Sequence, residues 1–362
     1  MNLLDRIDFN LSPRTKKQVL AAAAVVAGGV FLASAATAVA ATALIRRSRN
    51  LFSLKGKVVF ITGGSRGLGL AMAEEFGRRG ARIAICARDA EELERARQII
   101  ERETGATVMT FVCDVSDRAQ VEATIQGVQS HFGTLDVLVN NAGIIAVGPI
   151  ENQTLDDFEE AMKINFWSQV YSTLAALPSM RERAEARIVN ITSIGGKVSV
   201  PHLIPYCCSK FAAVAFSEGL RAELAKTGLK VVTIAPGLMR TGSHINADFK
   251  GKHSDEFTWF SLSGNNPVTS ISVARAARQI VGATVSGRAE LIITWQAELL
   301  ARFHGLAPGL TTHILGLVNR TLPNAGASAE KRKGKESHNL ITKSPLTALG
   351  EMAARRYNQK PA

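Results

Sequence analysis

Short apolar runs alternate with longer amphipathic stretches through most of this chain. The runs are Val58–Ile61, Arg82–Cys86, Val108–Val112, Val137–Val139, Ile188–Ile191, Val231–Ile234 and Leu291–Ile293. They are mostly continuous rather than alternating, the pattern of strands buried on both faces. Helical spacing fills the intervals: Leu68–Arg79, Ala90–Glu103, Ala119–Phe132, Leu155–Leu177, Tyr206–Lys226 and Ser272–Val285. Seven strands alternating with helices predict an α/β fold with a parallel, doubly wound sheet. After Thr294 the alternation stops. Trp295–Leu306 and Leu310–Leu322 read as two short amphipathic helices split at Pro308–Gly309, and beyond Asn324 the polar, Lys-rich composition predicts a flexible tail. No internal repeat is visible.

The chain has 362 residues and 46 % hydrophobic content, enough for one large domain with extensions. The formal net charge of +12 is concentrated at the ends, with +5 in residues 1–50 and +6 in residues 319–362. A nucleic-acid reader would carry its basic patch on the folded domain, so nucleic acid is not an expected partner. Basic ends beside an apolar segment suit an anionic membrane surface, although solvated tails are the plainer reading. Cys86, Cys113, Cys207 and Cys208 show neither metal-ligand spacing nor a disulfide framework. No metal is expected, and the compartment reads as reducing.

Gln18 to Ile45 contains no charged residue and lies between Lys16–Lys17 and Arg46–Arg47. As a helix it would reach ~42 Å, against a bilayer core of ~30 Å. An uncleaved single-pass anchor over residues 1–50 is expected, with the domain that follows on the cytoplasmic side. Basic residues flank both ends, so charge alone does not orient it. Two alternatives stay open: a signal peptide cleaved after Ala38-Val39-Ala40, and a buried helix of a soluble protein.

Thr62-Gly63-Gly64-Ser65-Arg66-Gly67-Leu68-Gly69 follows the first strand and opens a helix. Glycines allow a sharp turn and close backbone approach, and the free N–H groups of a helix N-terminus accept phosphate. This Gly-x-x-x-Gly-x-Gly spacing, placed between strand and helix, predicts a dinucleotide cradle; elsewhere it would be an ordinary tight turn. The second strand ends at Ala87, where an NAD site would carry an acid for the ribose 2′-hydroxyl. Asp89 has roughly the right spacing, so NAD(H) stays possible. Arg66 and Arg88 can instead converge on a 2′-phosphate, which favours NADP(H). Asp114-Val115 ends the third strand and offers an acceptor to adenine, or a helix N-cap at Asp114 or Ser116. Asn141-Ala142-Gly143 ends the fourth and lets the chain pass beside a cofactor.

Tyr206-x-x-x-Lys210 puts two side chains on one helix face. A phenol with a pKa of ~10 is a poor catalyst near neutrality, and a neighbouring ammonium is expected to lower it. Ser193, just after the fifth strand, can hold a substrate oxygen beside Tyr206. Asn165 stands mid-helix, an unfavourable place for Asn, which points to a role. Pro236-Gly237 and Thr241 follow the sixth strand, where backbone and hydroxyl can meet a carboxamide. Between Leu238 and Thr269, Phe249, Phe257, Trp259, Phe260 and Leu262 are interleaved with small residues. They predict a mobile apolar lid with Trp259 on the substrate; packing on the sheet or a dimer contact is the alternative.

Together these residues resemble the short-chain dehydrogenase/reductase family. The glycine pattern, the Asn-Asn-Ala-Gly run, Asn165, Ser193, Tyr206, Lys210 and Pro236-Gly237 follow its order and spacing, from about Leu54 to Thr294. The resemblance implies a Rossmann-type sheet, a catalytic Asn165/Ser193/Tyr206/Lys210 tetrad and bound NAD(H) or NADP(H). It also implies that Asn165 holds a water linking Lys210 to solvent. The anchor and the Ala-Arg after the second strand are similar to the membrane-bound, NADP-using branch, which includes hydroxysteroid and retinoid enzymes. The expected substrate is a lipophilic ketone/aldehyde–alcohol pair, steroid, retinoid or fatty-acyl-like, and the expected assembly is a homo-oligomer. The competing function is a non-catalytic cofactor-binding or scaffold protein. The expected layout is an anchor over 1–50, a catalytic domain over 51–294, two helices over 295–323 and a tail over 324–362.

Overall fold

The structure, a computed structural model, describes residues 52–337, 339, 342 and 347–359. The expected anchor, residues 1–50, lies outside them. Among the described residues, no helix is long and apolar enough to cross a membrane.

All seven expected strands form one parallel sheet. They are β1 (Val58–Thr62), β2 (Arg82–Ala87), β3 (Val108–Val112), β4 (Val137–Asn140), β5 (Ala186–Ile191), β6 (Leu229–Pro236) and β7 (Glu290–Ile293), in the order β7-β6-β5-β4-β1-β2-β3. The helices between them are α1 (Gly67–Arg78), α2 (Ala90–Thr104), α3 (Arg118–Phe132), α4 (Leu155–Met162), α5 (Ser168–Arg181), α6 (Ile204–Glu223), α7 (His253–Asn265) and α8 (Val273–Ser286). α1, α2 and α8 bury Leu70, Phe76, Ile100 and Ile280 on one face of the sheet. α3 and α5 bury Val121, Ile125 and Met180 on the other. Asp89 and Asp117 cap α2 and α3, each through a side-chain oxygen on backbone N–H groups. The chain order reverses between β1 and β4, and that switch point opens a crevice at the C-terminal ends of the strands.

One row of the sheet is polar. Asn140, Asn190 and Thr233 stand side by side on β4, β5 and β6. Asn140 Nδ2 donates to Asn190 Oδ1 at 2.8 Å and to Thr173 Oγ1 at 3.1 Å. Asn190 Nδ2 donates to Ser217 Oγ at 3.0 Å, and Ser217 Oγ lies 2.7 Å from Thr233 Oγ1. All five side chains are buried and bonded.

The two C-terminal helices form as expected: α9 (Trp295–Leu306) and α10 (Pro308–Asn319), with Trp295, Leu299, Leu306, Leu310 and Leu317 exposed. The polar stretch after Asn324 differs from the flexible tail its composition suggests. Arg332–Lys333 pairs antiparallel with Asp248–Phe249, and Ala348–Arg356 forms a further helix, α11. Polar contacts hold it where apolar burial is scarce. Asn152 Nδ2 bonds the carbonyls of Gly326 and Ser328, Lys331 pairs with Asp157, and Arg356 pairs with the buried Glu74.

Candidate active site

The cradle closes on backbone contacts. A Cβ on Gly69 would lie 2.1 Å from the carbonyl oxygen of Gly63, so only glycine lets α1 start this close to β1. Thr62 and Asn141 spend their polar atoms on each other's segments. Thr62 Oγ1 accepts from the N–H groups of Asn141 and Ala142 at 3.0 and 3.1 Å. Asn141 Nδ2 donates to the carbonyls of Thr62 and Gly63 at 2.9 and 3.0 Å. They set the shape of the cradle. Its mouth suits an anion: α1 has no side-chain N-cap and no acid in its first turn, where α2 and α3 have aspartate caps.

At the ribose corner, Asp89 is committed to capping α2, with Oδ1 2.9 Å from the N–H of Glu92. Arg66 Nη1 lies 3.1 Å from Glu92 Oε2, and the hydroxyl of the buried Ser65 donates to Glu92 Oε1. Arg88 makes no ion pair among the described residues. Asp114 does not cap α3; Asp117 does, and Asp114 Oδ1 accepts from the N–H of Ser116 at 2.9 Å. Val115 packs at the edge of the α3–α5 core.

The four candidate catalytic residues converge beyond β4 and β5. Ser193 follows β5, with Oγ 3.0 Å from the N–H of Gly195. Tyr206 and Lys210 lie one turn apart on α6, and Lys210 Nζ sits 5.8 Å from the Tyr206 ring centroid. Lys210 is buried and donates to the carbonyl of Ile191 at 3.1 Å. Asn165 lies in a π-helical turn, Lys163–Trp167, between α4 and α5. Such turns are frequent at functional sites, which explains an Asn where a regular helix disfavours it. Its amide is taken up by protein. Oδ1 accepts from the N–H of Ile144 at 2.8 Å, while Nδ2 donates to Ile144 O at 3.1 Å and to Ser209 Oγ at 3.0 Å. Gly143 lets it approach: a Cβ there would lie 2.8 Å from Asn165 Oδ1 and 3.6 Å from Lys210 Nζ.

The expected lowering of the Tyr206 pKa by Lys210 is not what the fold produces. Withdrawal from water pushes the phenol up to about 12, and the hydrogen bond to Ser193 pulls it back only in part. Burial drives Lys210 the other way, down to about 8. Desolvation disfavours both charged forms, and the ammonium is turned to the Ile191 carbonyl.

The lid is a correction as well. Its aromatics sit on α7 and the strand before it, not on a flexible loop. Phe249 and Phe257 are buried with Val147 and Ala247, while Trp259 and Phe260 pack partly buried against them. Trp259 Nε1 donates to Glu256 Oε2 at 2.7 Å. Glu256, fully buried, also holds His202 Nδ1 at 2.9 Å. His202 has φ +64°, in the left-handed region, four residues before Tyr206. No spacing or composition signal flagged this pair. Beyond β6, Thr241 is buried and its Oγ1 lies 2.8 Å from Ser243 Oγ.

The profile of a family described as short chain dehydrogenase matches residues 57–250. This chain is a short-chain dehydrogenase/reductase. Dehydrogenase/reductase SDR family member 7B of Mus musculus is 32 % identical over 298 residues, covering 81 % of this chain and 88 % of that protein. A short-chain dehydrogenase of Streptomyces avermitilis superposes with a TM-score of 0.63 at 28 % identity, covering 74 % of this chain and 98 % of that one. L-sorbose reductase of Gluconobacter frateurii, solved with NADPH and L-sorbose, gives a TM-score of 0.60 at 26 % identity, covering 67 % of this chain and 97 % of that one. As a short-chain dehydrogenase/reductase the chain is an oxidoreductase with a small-molecule substrate, and the family binds NAD(H) or NADP(H).

Proposed function

We propose that this oxidoreductase uses NADP(H) to interconvert a lipophilic ketone or aldehyde with its alcohol, tethered to a membrane by residues 1–50 with its catalytic domain on the cytoplasmic side. The observation that carries the chemistry is the phenol of Tyr206, held protonated, bonded to Ser193 and one turn from Lys210. The substrate oxygen sits between Ser193, which orients it, and Tyr206, which gives it a proton on reduction. Lys210, one turn further on, anchors its ammonium on the Ile191 carbonyl, from which it would reach the nicotinamide ribose. Asn165 fixes the loop at Gly143 and Ile144 against α6. The dinucleotide supplies or accepts the hydride when bound. Gly63, Gly67, Leu68 and Gly69 would hold its phosphates, Asp114 and Val115 its adenine, and Pro236, Gly237 and Thr241 its nicotinamide end, with Ala142 and Gly143 alongside.

NADP(H) is supported by the absence of an acid at Ala87 and by the capping duty of Asp89, which leave Arg66 and Arg88 at the ribose corner. A lipophilic substrate is supported by the aromatic cluster that Trp259 and Phe260 join on α7, in the segment that follows the Pro236-Gly237 turn, and by the uncharged stretch Gln18–Ile45. The test follows NADPH and NADH oxidation separately, against ketones from short polar and sugar-like to long-chain, isoprenoid and steroid. NADPH turnover is expected, with kcat/KM climbing with apolar size by up to ~0.8 kcal/mol per buried CH₂. Tyr206→Phe should lower kcat by roughly 10²–10⁴-fold and leave NADPH binding intact. A preference for sugars or hydroxy acids would refute the lipophilic reading, and near-normal turnover by Tyr206→Phe would refute the proton donor.

A further inference from the structure

Tyr357–Gln359 lie against the cradle. The N–H of Gly67, the first of α1, donates to the carbonyl of Tyr357 at 2.8 Å. Asn358 Nδ2 donates to the carbonyls of Ser65 and Glu92, both at 3.0 Å, and Asn358 Oδ1 accepts from Arg95 Nε at 3.3 Å. Asn358 has φ +55°, a conformation asparagine tolerates better than most residues. The Gln359 amide occupies the space directly over Gly67: a Cβ on that glycine would lie 2.6 Å from Gln359 Nε2. Gln359 Oε1 also accepts from Asn246 Nδ2 at 2.7 Å. Asn246 belongs to the loop after Thr241, so Gln359 bridges two rims of the crevice. Behind it, Arg356 makes two 2.9 Å bonds to the buried Glu74, and Ala354 is pressed onto Gly242.

We propose that the Ser65–Gly67 turn is a surface with two competing occupants: the phosphate end of the dinucleotide, and the chain's own Tyr357–Gln359. An N–H pointed at a carbonyl is not available to a phosphate, and the space over Gly67 cannot hold both. The segment is tethered, so it meets the turn at a high effective concentration whatever the protein concentration. Its hold is made of hydrogen bonds, the pairs of Arg356 with Glu74 and Glu103, and the contacts of Ala354 and the half-buried Tyr357; none of these is a rung of the sheet, so it can be displaced without unfolding the sheet. The contact is therefore autoinhibitory, and loading the enzyme requires Tyr357–Gln359 to lift. This rests on the reading of the glycine turn as the dinucleotide cradle.

The test uses NADPH with three proteins: the full chain, Asn358→Ala, and a chain ending at Thr347. Affinity is read from NADPH fluorescence, and amide hydrogen exchange is followed on the full chain with and without NADPH. Both variants are expected to bind NADPH more tightly than the full chain, by roughly tenfold for the shortened one, as for removal of a tethered competitor. In the full chain, NADPH should protect amides 65–70 and speed exchange over 348–359. If the shortened chain fails to fold, Asn358→Ala and the exchange data still decide. Unchanged or weaker binding by the variants overturns the proposal. So does added protection over 348–359, which would mean that the segment closes over the cofactor; protection of 65–70 would then leave the cradle reading standing. No protection of 65–70 removes both.

Discussion

Lys210 sits one turn from Tyr206 with its Nζ on the carbonyl of Ile191. Unfolded, its amine titrates at the ordinary 10.5; folded, at about 8. Below pH 8 both states hold the proton, and the fold bears the full cost of a buried ammonium. Between pH 8 and 10.5 the folded chain sheds a proton that the unfolded chain keeps, so stability rises with pH; above 10.5 the cost is gone. The whole shift corresponds to roughly 3 kcal/mol. Lys210→Met is expected to abolish turnover yet gain ~1–3 kcal/mol at pH 7, with the gain shrinking toward pH 10.5. Urea unfolding at both pH values checks this, and a Met variant less stable than the parent at pH 7 counts against it. At the ribose corner, Glu92 already pairs with Arg66, so a 2′-phosphate must compete for that guanidinium. Replacing Arg66 and Arg88 together by Ala should weaken NADPH binding far more than NADH binding. Equal loss for both cofactors, read by titration, would show that the arginines do not read the phosphate.

The turn leading into α6 is tied to α7 by His202 on Glu256, whose carboxylate also holds Trp259 of α7. Glu256→Ala would leave the N–H groups of the buried His202 and the part-buried Trp259 without this acceptor, and is expected to cost roughly 1–3 kcal/mol. Glu256→Gln, which keeps an acceptor oxygen, should cost less. A Glu256→Ala variant within ~0.5 kcal/mol of the parent in urea would show that the pair does not join the helices. These elements also mark how far the amino-acid pattern could be read. The seven strands are legible because burial on both faces makes each a nearly continuous apolar run. Tyr206 and Lys210 are legible because one helical turn fixes their spacing. The π turn at Asn165 left only an oddity of propensity. The His202–Glu256 pair is separated by 54 residues and has no periodicity to betray it. α11 is the least legible element: its buried positions are Gly350 and Ala354, while Leu349 and Met352 are exposed. Small residues fitting against Asn265 and Gly242 leave no hydrophobic stripe.

For the whole molecule, the described fold starts at a firm point. Phe52 is buried, its ring 4.3 Å from the Arg187 guanidinium and its N–H on the carbonyl of Val285. Deletion of residues 1–49 keeps that contact, so the remaining chain should fold; under the proposed anchor the full chain sediments with membranes and the shortened chain leaves them. If it still sediments with membranes, attachment belongs to the exposed apolar side chains of α9 and α10. Membrane fractionation of both chains decides between the two. The sheet itself carries a key in the row Asn140–Asn190–Thr233. Apolar strands packed on both faces have little else to fix their alignment, because a slip of two residues leaves every side chain on its own face. In this sheet such a slip of β5 against β4 would set Asn190 opposite Leu138 and leave the buried Asn190 amide oxygen without its Asn140 donor, at a cost of ~1–3 kcal/mol. It would also carry Ser193 about 7 Å along the strand, at ~3.3 Å per residue, away from the phenol of Tyr206. The mispaired sheet would thus be both unstable and inactive, so the polar row works as a proofreading device for the alignment on which the active site depends.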